Sequence, residues 1–321
     1  MDDSEMVVLG GSASKNLSKS ICEILNIPLG DSEVVRFSEG NLFVKVNQNV
    51  RGRHVYLIQS TAFPVNDNFM ELLFWIDALK RASVASVTVL IPYFSYAKGD
   101  KKDEPRVSIR ARVCAQAIES AGANRVITLD LHAPQIQGFF QLPVDDLYAA
   151  PVLVEAIAAE NIPDLVVVSP DAGFAKKAKE YARRLGAPLA IADKERHDHS
   201  ETAVVADLIG EVDGRNALIV DDFTISAGTL AEVAEVLISR GATSVQAAIS
   251  HGVFTGKAMQ RLDDSPIDAL WVTDSVEHDA SDLSDKVRTV SVAPLFAEAI
   301  KRIHHKESIS SLFNLRRASH L

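Results

Sequence analysis

Ala217-Leu-Ile-Val-Asp-Asp-Phe-Thr-Ile-Ser-Ala-Gly-Thr229 joins an uninterrupted apolar run to a pair of acids and then to a short loop of small and hydroxylated residues. Residues 217–220 read as a strand covered on both faces. The apolar periodicity from about Leu230 to Ser239 reads as a helix, so the whole stretch is a strand-loop-helix unit. In such a unit the loop lies at the carboxyl edge of a parallel sheet, and the free N–H groups and positive dipole end of the helix face whatever sits there. Ser226 and Thr229 offer hydroxyl donors, and Ala227 and Gly228 let an anion approach the backbone closely. Asp221 and Asp222 can accept hydrogen bonds from vicinal sugar hydroxyls. Together these groups point to a sugar phosphate. The bland alternative, an acidic strand end followed by a helix cap, stays open on these residues alone.

The rhythm around that unit sets the fold class. Apolar strands begin at Val7, His54, Val87 and Arg125 and alternate with helical patterns from about Ser14, through Met70 to Ala82, and from Ser108. In the second half, strands are expected at 165–169, 189–192, 217–220, 244–250 and 270–273, separated by helix-like segments. Alternation of this kind predicts an α/β protein with largely parallel sheets flanked by helices.

Composition narrows the function classes. A chain of 321 residues, 47% hydrophobic, is long enough for two ordinary domains. Its net charge of −10 gives no overall basic field for nucleic acid, so an anionic substrate must be met by local cations or a metal. Cys22 and Cys114 are the two cysteines, each within a helix-like apolar pattern. They read as buried small hydrophobes in a reducing, cytoplasmic setting. No apolar run reaches the ~20 residues of a membrane span, and the acidic start MDDSEM lacks a basic leader region, so neither secretion nor membrane insertion is expected.

VDDFTISAGT resembles the ribose-phosphate loop of the phosphoribosyltransferase fold. FSEGN from Phe37, NVRG from Asn49, QSTAFPVNDNFMELL from Gln59, IPYFSYAKGDKK from Ile91, ITLDLHAPQIQGFF from Ile127, VVVSPDAG from Val166 and SHGVFTGKA from Ser250 resemble, in order and over nearly the whole chain, the ribose-phosphate pyrophosphokinase family. The resemblance implies two phosphoribosyltransferase-like domains, 1–149 on the ATP side and 150–292 on the ribose 5-phosphate side. Residues 293–321, with a helix at about 293–304, are expected to pack back on the first. The implied reaction is transfer of the terminal diphosphate of Mg-ATP to the 1-hydroxyl of ribose 5-phosphate, giving phosphoribosyl diphosphate and AMP.

Site residues follow from the matching motifs. ATP falls to Phe37, Glu39, Asn41, Lys98, Gly99, Lys101 and His132, with Lys102 a further phosphate cation; the Phe37 segment is expected to come from a neighbouring subunit. Ribose 5-phosphate falls to Asp171, Asp221, Asp222 and the loop Ile225, Ser226, Ala227, Gly228 and Thr229. His132 and Asp171 are expected to hold Mg²⁺ at a cleft between the halves, with waters and phosphates completing the shell; alone, His132 reads as an ordinary histidine at a strand end. Residues 193–200, otherwise a solvated charge run, resemble a mobile catalytic loop in which Lys194 and Arg196 stabilise the migrating diphosphate. A dimer-based homo-oligomer, up to a hexamer, is implied, and Asn49 and Arg51 fall where phosphate or ADP acts as effector.

Four positions depart from the family pattern. Asn41 stands for an acid, Lys98-Gly99 for Arg-Gln, Phe174 for Gly after SPDAG, and Ile225 for Asp before the SAGT turn. Lys in place of Arg exchanges a planar fork for a point charge, which loosens phosphate contacts. The Phe174 ring must either enter the core or narrow the pocket. The departures leave three readings open: an active synthetase, a non-catalytic regulatory subunit, and a pyrophosphokinase for a different acceptor. Retention of Lys194, Arg196, His132, Asp171, Asp221 and Asp222 favours the first.

Overall fold

The computed structural model describes residues 5–195 and 204–313, without the side chains of 193–195 and 204–207. The chain divides into two compact units. One runs through Tyr148 and takes in Ser275–Glu277 and the stretch from Ser291; the other comprises Ala149–Asp274 and His278–Val290.

The first unit begins with β1 (Met6–Gly10) and α1 (Lys15–Leu25), followed by the hairpin β2 (Ser32–Arg36) and β3 (Leu42–Val46). Then come β4 (His54–Ile58), α2 (Val65–Arg81), β5 (Ser86–Ile91), α3 (Arg110–Ala121), β6 (Arg125–Leu129) and β7 (Val144–Leu147). Five strands form one all-parallel sheet in the order β1-β4-β5-β6-β7. Buried runs such as Val55–Ile58 and Val87–Ile91 follow from helices covering both faces. Trp75, Ile76 and Leu79 of α2 pack with Leu57, Val89 and Ile118 in one core, where each buried large side chain contributes ~1.5–3 kcal/mol. The hairpin is a separate antiparallel sheet whose inner residues Val34, Val44 and Val46 lie against that core.

The second unit holds α4 (Ala150–Ala159), β8 (Leu165–Ser169), α5 (Ala175–Leu185), β9 (Leu189–Glu195) and β10 (Val204–Ile209). It continues with β11 (Asn216–Thr224), α6 (Gly228–Ser239), β12 (Ser244–Gly252), α7 (Ala258–Asp264), β13 (Ile267–Thr273) and β14 (Val287–Val290). Its seven strands run β10-β9-β8-β11-β12-β13-β14, parallel except for β10 against β9. From β8 the chain builds outward to β9 on one side and later resumes on the other side at β11. The carboxyl ends of β8 and β11 therefore flank a topological switch point, the place where open α/β sheets bind ligands. The last helix, α8 (Ala293–His304), belongs to the first unit and packs on α1, burying Phe296 and Ile300.

Several boundaries differ from the sequence reading. β11 continues through both acids to Thr224 instead of ending at Val220, because β12 offers ladder partners as far as Gly252. α6 starts at Gly228 rather than Leu230, directly after Ala227 adopts a left-handed turn with φ 57°. β9 runs to Glu195, so Asp193–Glu195 are strand, with Lys194 paired to Val205, rather than the start of a loop. The hairpin β2–β3 and the strands β7, β10 and β14 have no counterpart in the sequence reading; each is short or an edge element.

Candidate active site

In the second unit the acids sit where β11 outlasts one neighbour. β8 pairs with β11 only as far as Ile219, while Asp221, Phe223 and Thr224 remain paired to β12. There the carboxylates turn back on the strand: the Asp222 N–H donates to Asp221 Oδ1 and the Phe223 N–H to Asp222 Oδ1, both at 2.9 Å. Asp222 is buried. Burial, with the charges of Asp222 and then Asp171 adding to it, holds the Asp221 carboxyl well above the usual carboxylate range. Three acids thus influence one another at the switch point, and Asp221 and Asp222 offer acceptors for sugar hydroxyls.

The loop after them reverses sharply. Ala227 takes the left-handed conformation in a buried position, and α6 then presents its first turn. Ile225 is exposed, and its carbonyl accepts from the Thr255 N–H at 2.9 Å, tying the loop to the Phe254–Gly256 turn. Gly252, before that turn, has no space for a side chain: a Cβ there would lie 2.6 Å from the Phe254 ring. Arg261 of α7 donates to the Ser226 carbonyl at 3.3 Å and stands 3.6 Å from where a Cβ on Gly228 would be. Sequence reasoning missed Arg261, since only the fold brings α7 under the loop.

At the end of β8, Ser169 Oγ donates to the Asp171 carbonyl at 2.7 Å, and Asp171 Oδ1 accepts the Phe174 N–H at 2.9 Å. Asp171 thereby closes the turn that leads into α5, and the residue itself is exposed. The Phe174 ring is buried, with Lys177 Nζ 5.5 Å from its centroid, so the core is where the substituted ring goes.

The first unit carries the other expected ligands. At the end of β6, Asp130 adopts a left-handed conformation, and its N–H donates to the Leu147 carbonyl at 2.8 Å. Buried Asp146 accepts from Thr128 Oγ1 at 2.9 Å and from the Leu131 N–H at 3.0 Å, fixing the turn that exposes His132. Asp146 gave no motif-level signal of that role. Lys98, Lys101 and Lys102 are exposed on one turn, with Gly99 buried between them. Tyr96 of that turn bonds Asn66, and Arg36 of the hairpin pairs with Asp67 at 2.6 Å, so both ATP-side segments are tied to the first turn of α2. At the hairpin tip the Phe37 N–H donates to the Asn41 carbonyl at 2.9 Å, Asn41 Nδ2 donates to Glu39 Oε1 at 3.3 Å, and Phe37 is 46% exposed. The Asn49 side chain accepts the Arg51 N–H at 3.1 Å, a local turn.

His132 lies in the first unit and Asp171 in the second. Among the described residues no group of three or more His, Cys, Asp or Glu side chains could enclose a metal by themselves. The Lys194 side chain and Arg196 lie outside the described residues.

Residues 6–122 match the N-terminal domain of ribose phosphate pyrophosphokinase, and 204–314 match the phosphoribosyl synthetase-associated domain. A ribose-phosphate pyrophosphokinase of Rhizobium meliloti is 46% identical over 311 residues, 96% of this chain and 100% of that protein. The chain belongs to the ribose-phosphate pyrophosphokinase family. The Ralstonia nicotianae pyrophosphokinase is likewise 46% identical, over 98% of this chain and 99% of its own. The crystal structure of a phosphoribosylpyrophosphate synthetase from Mycobacterium smegmatis superposes with a TM-score of 0.87 at 32% identity, covering 94% of this chain and 99% of that one. No described helix is long and apolar enough to cross a membrane.

Proposed function

We propose that this family member transfers the β,γ-diphosphoryl group of ATP to the 1-hydroxyl of ribose 5-phosphate, releasing AMP and phosphoribosyl diphosphate. The bond formed is from sugar O1 to the β-phosphorus; the bond broken joins that phosphorus to the α-phosphate oxygen, and the hydroxyl proton leaves to solvent. The observation that supports this reading most is the acid pair and left-handed SAGT turn at the switch point. Asp221 and Asp222 accept from the ribose hydroxyls, while the N–H groups and hydroxyls from Ser226 to Thr229 hold the 5-phosphate. Arg261, by holding the Ser226 carbonyl, keeps the turn in its binding shape.

ATP is read as bound by Lys98, Lys101 and His132, with Phe37 stacking on the adenine of a neighbouring subunit's nucleotide and Glu39 or Asn41 at its edge. Lys194 and Arg196 supply charge to the migrating diphosphate. His132 and Asp171 would hold Mg²⁺, whose chemistry is to neutralise phosphate charge. Both side chains belong to exposed residues just past a strand end, and a thin protein ligand set suits an ion that keeps its waters. A cytoplasmic, oligomeric enzyme answering to phosphate or ADP near Arg51 completes the reading; two buried free thiols accord with a reducing compartment.

The test is mass detection of AMP and phosphoribosyl diphosphate from ATP, Mg²⁺ and ribose 5-phosphate. Equal amounts of both are expected, abolished by EDTA and reduced ~100-fold or more in Lys194→Ala. Turnover only with another ribosyl phosphate would identify a respecified acceptor pocket. No AMP with any acceptor would leave only a regulatory subunit.

A further inference from the structure

Gly99 is buried although Lys98 beside it is exposed, and the group that covers it is Arg110, eleven residues further on. A Cβ placed on Gly99 would lie 2.5 Å from Arg110 Nε, 2.8 Å from its Cβ and 3.3 Å from Cζ. The Arg110 side chain therefore fills the space that any side chain at position 99 would take. The backbone makes no demand for glycine here, because Gly99 is not among the residues with positive φ. What glycine supplies is room.

We infer that Arg110 is a nucleotide-phosphate ligand of this enzyme, brought into the Tyr96–Lys102 turn through the gap at Gly99, and that it restores the planar cation lost where Lys98 replaces arginine. The inference rests on reading that turn as the ATP phosphate site. Three observations carry it beyond the steric fit. First, Arg110 opens α3, where the helix dipole disfavours a cation, so helix stability does not explain an arginine at this position. Second, Arg110 is exposed and makes no ion pair among the described residues, and the acid of the turn, Asp100, accepts from Gln135 Nε2 at 3.1 Å. Third, the turn is held in place for it: the Gly99 N–H donates to the Tyr96 carbonyl at 2.8 Å, and Tyr96 is anchored to α2 through Asn66.

The chemistry follows from the two kinds of cation. Lysines at 98, 101 and 102 attract a polyphosphate without fixing its orientation, whereas a guanidinium engages two oxygens in one plane. In this chain the planar fork comes from the start of α3 instead of from the turn itself. The departures at 98 and 99 are then halves of one change, in which a longer residue at 99 and an arginine at 110 exclude each other.

The test is calorimetric binding of Mg-ATP to the full-length protein without ribose 5-phosphate, with steady-state KM values for both substrates. Arg110→Ala is expected to weaken Mg-ATP binding about 10-fold or more, as for loss of a charge-assisted contact, and to leave the KM for ribose 5-phosphate unchanged. Gly99→Gln should weaken Mg-ATP similarly by displacing the guanidinium, and adding Arg110→Ala to it should cost little more. Thermal melting of Arg110→Ala should match or exceed the parent, which separates ligand loss from misfolding. If Arg110→Ala binds Mg-ATP within about two-fold of the parent while Lys101→Ala loses about 10-fold, the ATP site stands and the role of Arg110 falls. If neither change matters, the reading of the turn itself falls with it.

Discussion

Asp221 occupies a place that its own ionisation disfavours. Burial, then the charge of Asp222, then that of Asp171, raise its pKa above the value it has in the unfolded chain. A raised folded-state pKa means that stability is full while the carboxyl is protonated and is lost as pH rises from the unfolded carboxylate range through the folded value. Asp221→Asn removes that loss, which amounts to roughly 1.4 kcal/mol for every tenfold difference in proton affinity between folded and unfolded chain. In metal-free, ligand-free buffer its Tm should exceed that of the parent at pH 7, with the gap closing toward pH 4. The same substitution should weaken ribose 5-phosphate binding about 10-fold through loss of a charged acceptor. A variant that melts below the parent at pH 7 would show that the acid is structural, not a strained ligand. The acid pair itself was readable from sequence because it stands in a spaced motif. The bracing by Arg261 and the gap filled by Arg110 were not, since each depends on residues that only the folded chain brings together.

At the scale of elements, α1 and α3 each hide one of the two thiols. Cys22 and Cys114 are buried, and burial pushes both up to about 11, with Glu23 adding to the effect at Cys22. At pH 7.5 almost no thiolate is present, and thiolate is the reactive form. Native protein should therefore resist iodoacetamide for hours, while protein in denaturant should take up two equivalents. Rapid labelling of the native form at either cysteine would show that its helix opens locally. The helical pattern around both residues made their burial readable, as the apolar runs did for the central strands. Elements read poorly where a neighbour decides their length. β11 extends through two acids, which ordinarily favour turns, because β12 pairs with it to the end. The hairpin escaped because its strands are short and neither face is uniform: Val35 and Phe43 share the outer face with Glu33 and Lys45, and Arg36 follows Val34 on the other.

At the scale of the whole molecule, the proposed ligands divide between the two units: ribose 5-phosphate on the second through Asp221–Thr229, ATP phosphates on the first through Lys98–Lys102 and Arg110. A net charge of −10 makes that division demanding, because each anion must be captured by local donors against an acidic background. Binding stabilises the part of the structure that makes the contacts, by about 2.7 kcal/mol at a ligand concentration of 100 Kd. Hydrogen exchange with each ligand alone should therefore resolve two footprints. Ribose 5-phosphate should slow exchange at the end of β11 and the first turn of α6. A non-hydrolysable Mg-ATP analogue should slow it in the 96–102 turn and the first turn of α3, with the α3 protection lost in Arg110→Ala. Protection by ribose 5-phosphate confined to the first unit would overturn the assignment of the switch-point acids to the sugar, however active the enzyme proved to be. Separate footprints would tie the acid-rich sheet end to the acceptor and the lysine turn to the donor, which is the arrangement that lets one acidic chain hold two anions.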